Sequence, residues 1–152
     1  MCELYLKGSI EPDNACAILD QAIRFDFLDL KQQCLNLIEN KSKCVLESDA
    51  FVEMSVEGLK EVLEMNRMLC SESEVYLACK RWASKRIESN EKHATADAIR
   101  IKLGYEIINL IRFPSMPLEQ FTDVVSNDSV LTKDETLSVY QTIIKKKKCL
   151  EV

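Results

Sequence analysis

The segment Pro12–Phe25, PDNACAILDQAIRF, decides the fold class of this chain. Its apolar residues Ala15, Ile18, Leu19, Ala22 and Ile23 recur at i, i+3, i+4, i+7 and i+8, the spacing of one helix face. Glu11, Pro12 and Asp13 supply the acids and the fixed φ that favour a first helical turn. Leu30, Cys34, Leu37 and Ile38 repeat the pattern across 28–40, so two short helices follow each other around a tight corner at Phe25, Asp26 and Phe27.

The same periodicity runs through the rest of the chain. A short apolar turn at Val45 and Leu46 leads to Phe51 and Met54, and Ser55 is placed to cap a helix over 56–65. Ser71 and Glu74 have the spacing of a capping box, in which serine and glutamate each satisfy an unpaired amide of the other's turn. The helix it opens carries Val75, Cys79, Trp82, Ala83 and Ile87 on one side. A long helix is expected over 96–111, with Ile99, Leu103, Ile107, Leu110 and Ile111 inward. Pro114 ends it and Pro117 opens a helix with Leu118, Phe121 and Val125 on its apolar face. Asn127, Asp128 and Ser129 read as a turn. Thr132 and Glu135 form a second capping box, and Leu137, Tyr140, Ile143 and Ile144 carry the last helix into Lys145–Lys148. The expectation is an all-α domain of about eight short helices in successive antiparallel pairs, without a strand.

Composition agrees. The 152 residues contain only 3 Gly and 3 Pro, too few for the turns of an all-β protein or for a glycine-rich phosphate loop. A chain of this length buries close to ~70% of its unfolded surface, enough for a core without staples. A net charge of −5 disfavours nucleic acid as a partner, and no apolar run approaches the length of a membrane span. No secretory signal stands at the amino terminus, so the expected location is the cytoplasm, with the nucleus open to it if Lys145–Lys148 serves as an address. A solvated helix end, with cations near the negative pole of the dipole, explains that run at lower cost. The final four residues, Cys149–Val152, formally fit a prenylation frame, but Glu151 stands where an aliphatic residue belongs.

Chemistry is sparse. The seven cysteines form no C-x-x-C pair and the single histidine, His93, has no cysteine nearby, so neither metal nor other cofactor is expected. Most cysteines lie among apolar residues and read as buried free thiols. The acids of 72–74 and 134–135 each occupy a helix first turn, where the dipole alone accounts for them. Trp82 with Lys80, Arg81, Lys85 and Arg86 has the look of a nucleic-acid surface, yet Trp82 belongs to the apolar stripe and Glu72, Glu74 and Glu88 balance the bases. No phosphate loop, nucleophile elbow or metalloprotease motif occurs, and the reading is that the chain is not an enzyme.

Particular phrases add a resemblance. CELYL (2–6) followed by PDNACAILDQAIRF resembles the three-box helix pair that follows a BTB domain and opens a BACK domain. EVYLACKRWASKRIE, around Trp82, resembles the tryptophan-bearing BACK helix. LIRFPSMPLEQF (110–121) is similar to the segment closing the BACK domain in BTB proteins that continue into a PHR domain, and SVLTKDETLSVY resembles their last BACK helix. The resemblance implies a three-box-like pair over 1–25, a BACK body over 26–144 and a basic tail over 145–152, as the middle section of a longer protein. It further implies a non-catalytic, rigid spacer in a substrate adaptor of a cullin-3 RING ubiquitin ligase. This section alone would be monomeric, the BTB half supplying dimerisation and most of the cullin-3 contact. Tyr5, Leu6, Ile10, Ala15 and Leu19 are the residues expected at a cullin-facing groove; they can equally pack against one another or against a BTB domain. A protein-interaction scaffold unconnected with ubiquitin is the alternative, and a small helical enzyme or redox protein using its cysteines is a third.

Overall fold

Helices follow one another wherever the apolar spacing is helical. The computed structural model describes residues 10–65, 68–87 and 95–150, with side chains through Lys148. Nine α-helices and no strand occur among these residues. They fall into two compact units, 1–70 and 71–152.

In the first unit, α1 (Ala15–Arg24) packs on α2 (Leu28–Asn40), then come α3 (Ser42–Glu47), α4 (Asp49–Glu53) and α5 (Val56–Leu63). The α1 stripe meets α2 on one side and α4 and α5 on the other, and Ala15, Cys16, Ile18, Leu19 and Ala22 are buried. Pro12–Asn14 forms a turn before α1, later than the expected start: the Asn14 side chain accepts from the Glu11 N–H at 2.7 Å, pinning a turn that competes with the helix. The segment read as a short apolar turn at Val45 and Leu46 is α3, and Phe51 lies on α4. Ser48 separates the two in extended backbone while its Oγ accepts from the Phe51 N–H. Buried Ser42 donates to the Ile38 carbonyl and accepts from the Leu69 N–H, so its hydroxyl is satisfied on both sides.

The second unit begins with both halves of the Ser71–Glu74 capping box formed: Ser71 N–H to Glu74 Oε2 at 2.9 Å and Glu74 N–H to Ser71 Oγ at 3.2 Å. It opens α6 (Glu72–Ile87), which packs on α7 (Ala96–Leu110). Trp82 and Tyr76 are the largest side chains wholly enclosed. A single turn, α8 (Leu118–Gln120), runs on through a π turn over 121–125 and a 3₁₀ turn over 126–128 into α9 (Lys133–Leu150). Thr132 and Glu135 complete the second capping box at 2.9 and 3.2 Å.

Further details of the second unit differ from the periodic reading, among them Leu118, expected on an apolar face and exposed. Gly104, at φ 75° and ψ 163°, breaks α7 into two stretches, a conformation closed to residues with a Cβ. On α9 only Ile143 of the expected stripe is buried, Tyr140 is half-buried, and Leu137 and Ile144 are exposed, because the helix covers the unit with one narrow edge. Leu110, expected inward, is half-buried; Ile108 is buried instead.

Candidate protein-binding site

The expected groove is centred on the chain leading into α1. The Ala15 N–H donates to the Glu11 carbonyl at 2.8 Å, so the Glu11–Asn14 turn holds half-buried Ile10 at the mouth of the helix. Ala15 and Leu19 are both 0% exposed. Tyr5 and Leu6 lie outside the described residues. Of the groove set, Ile10 therefore presents surface, while Ala15 and Leu19 can only support a groove from beneath. The resemblance offered Ala15 and Leu19 for the groove, but both lie on the stripe by which α1 joins its own core.

At the other end of α1 lies apolar surface that periodicity did not mark. Phe25 is 57% exposed and Leu28 is 66% exposed, and the rings of Phe25 and Phe27 stack 6.0 Å apart. The corner is closed by a Schellman pair: Phe27 N–H to the Ala22 carbonyl and Asp26 N–H to the Ile23 carbonyl. Asp26 takes the left-handed position, φ 57°, that glycine usually fills. Apolar residues around a helix end belong to no single face, so no spacing rule flags them.

The phrase around Arg112–Pro114 is structural. The Arg112 N–H donates to Glu72 Oε1 at 2.8 Å, and the Phe113 ring meets Tyr76 edge-on at 5.6 Å and Phe121 at 6.2 Å. Phe121 in turn meets Tyr140 at 4.9 Å. The Tyr76 hydroxyl donates to Asp128, which also accepts from Lys80, and burial raises the phenol's pKa, with the adjacent Asp128 charge acting in the same direction. Two of the bases beside Trp82, Lys80 and Arg86, are committed within the unit. Lys80 is paired with Asp128 rather than with a neighbouring glutamate, and the Arg86 guanidinium lies 3.7 Å over the Trp82 ring.

The thiols divide by burial. Cys16, Cys34 and Cys79 are buried; Cys44 is exposed and Cys70 half-buried, so the buried reading holds for three of these five. Burial, with Asp20 close by, raises Cys16 to about 12; burial alone raises Cys34 to about 11 and is the main cause of the rise at Cys79. At neutral pH these three are thiols, not thiolates, and are poor nucleophiles. Among the described residues no group of histidine, cysteine and carboxylate side chains is placed to hold a metal ion, and no helix is long and apolar enough to cross a membrane. His93 lies outside the described residues.

Two all-helical units, the second built round the Tyr76–Phe113–Phe121–Tyr140 aromatic series, define an all-α module. The chain belongs to the BACK family: the family model described as BTB And C-terminal Kelch matches residues 15–126. It is 31% identical over 139 residues to BTB/POZ domain-containing protein 6-A of Danio rerio, covering 91% of this chain and 26% of that protein. It is 29% identical to BTB/POZ domain-containing protein 6 and 28% identical to BTB/POZ domain-containing protein 3, both of Homo sapiens, each over 139 residues and with the same coverage. The chain thus spans about a quarter of the length of these relatives.

Proposed function

We propose that this chain is a non-catalytic helical spacer of a BTB-type substrate adaptor for a cullin-3 RING ubiquitin ligase. The observation that carries the proposal is the BACK match over 15–126 within an alignment to BTB/POZ domain-containing proteins that covers 91% of the chain. In this reading 1–25 is the three-box-like pair, 26–144 the BACK body and 145–152 a basic tail; the protein works in the cytoplasm, and a BTB half provides dimerisation. Ile10, with Tyr5 and Leu6, contributes the three-box part of the cullin-3 contact, while Ala15 and Leu19 belong to the core of the first unit.

Spacer function requires each element to keep its shape under load. Ties between residues distant in sequence support this within each unit. Lys31 pairs with Glu61 at 2.8 Å in the first, and Arg100 grips both carboxylate oxygens of Glu135, at 2.6 and 3.2 Å, in the second.

Size-exclusion chromatography of this chain, fused behind the BTB half of a matched relative, with purified cullin-3 amino-terminal domain tests the proposal. Co-elution is expected. Separate elution at micromolar concentrations overturns it and favours the scaffold unconnected with ubiquitin.

A further inference from the structure

Between the second stretch of α7, the turn over 113–115 and the first turns of α9, the second unit leaves an open cleft of about 420 Å³. Its floor is apolar, formed by buried Ile108, Ile111, Phe113 and Leu131. Its rim is different. Asn109, Asp134 and Ser138 are exposed there, and the Tyr105 ring, immediately after the Gly104 break, is 72% exposed.

The charge of the lining has one sign. Among the described residues, two carboxylates and no lysine or arginine line the cleft. Glu135 is already engaged by Arg100 and by the Thr132 N–H, whereas no cation among the described residues is bridged to Asp134. An apolar floor beside an aromatic face and an open carboxylate is matched by a side-chain pair of opposite character: an aliphatic or aromatic group for the floor, and a cation for the rim. A cation at the rim gains from the Asp134 charge and from the negative face of the Tyr105 ring. An acidic segment would set its carboxylates against Asp134, and a phosphate-bearing surface would meet the same charge, the nearby Arg100 being already paired with Glu135.

We infer that this cleft docks a short segment of a protein partner in which a leucine, isoleucine or phenylalanine stands beside a lysine or arginine. The inference is independent of the cullin-3 reading, which concerns the other unit. A cleft of this volume lies within the range of sites that enclose small ligands or a few side chains.

Selection of a random dodecapeptide phage library on the full 152-residue chain tests it, followed by fluorescence anisotropy with the enriched peptides. Enriched peptides are expected to carry Lys or Arg next to Leu, Ile or Phe. The double variant Tyr105→Ala, Asp134→Asn is expected to weaken them at least tenfold. Glu47→Gln, the same charge change at an exposed position in the other unit, is expected to leave affinity within twofold. Both rim residues are exposed, so an unchanged melting temperature verifies that the double variant is folded. No enrichment, enrichment of acidic or uncharged peptides, or binding that survives the double substitution overturns the inference.

Discussion

The Asp20 carboxylate accepts two hydrogen bonds from Ser55, 35 residues away: one from its backbone N–H at 2.8 Å and one from its hydroxyl at 2.7 Å. The Ser55 hydroxyl in turn accepts from the Gly58 N–H at 3.1 Å, so one relay fastens α1 to the capped start of α5. Replacing Asp20 by Ala strips a charged acceptor from two donors and is expected to cost about 2 kcal/mol in chemical denaturation. A loss below ~0.5 kcal/mol contradicts the relay.

Gly58 belongs to the same arrangement. A Cβ there would stand 2.4 Å from Asp20 Oδ1 and 2.7 Å from Met54 Cγ, and Met54 is itself buried. In an open helix, glycine to alanine stabilises by roughly 0.5–1 kcal/mol. Gly58→Ala is expected to have the opposite sign, a loss of about 1–3 kcal/mol through overpacking. Urea unfolding of the variant checks the sign.

Gly104 makes a different prediction from different physics. Nothing lies within 4 Å of an added Cβ, but φ is +75°. Gly104→Ala is therefore expected to destabilise by about 1–3 kcal/mol through backbone strain alone. Stabilisation instead would show that α7 is unbroken.

The second capping box gives a pH dependence. Arg100 is the main reason that the Glu135 carboxyl titrates below its ordinary 4.5, with the Thr132 amide and hydroxyl assisting. A lowered carboxyl pKa contributes stability that is complete above about 4.5 and is lost as pH falls through the lower folded value. Glu135→Gln should therefore lower the melting temperature at pH 7 and approach the parent protein in acid. An equal deficit at both pH values contradicts the account.

Local rules made much of the fold legible. The Ser71–Glu74 and Thr132–Glu135 boxes formed because both partners lie within one turn, and Trp82 is buried where the α6 stripe puts it. Exposure was less legible. The stripe on α9 fixes a direction, but whether Leu137 and Ile144 are covered depends on neighbours far away in sequence. The break at Gly104 was hidden because a helical pattern tolerates a glycine without announcing its φ. For the site, the resemblance offered Ala15 and Leu19, which periodicity already placed on a buried face, whereas the surface at Phe25 and Leu28 lies on a corner with no period.

Titration calorimetry of cullin-3 amino-terminal domain against the BTB-fused chain, with and without Ile10→Asp, tests the central claim most directly. The account predicts saturable binding that weakens at least tenfold on the substitution, with the melting temperature preserved. No binding by the unsubstituted fusion, or affinity unmoved by the change at Ile10, would contradict it.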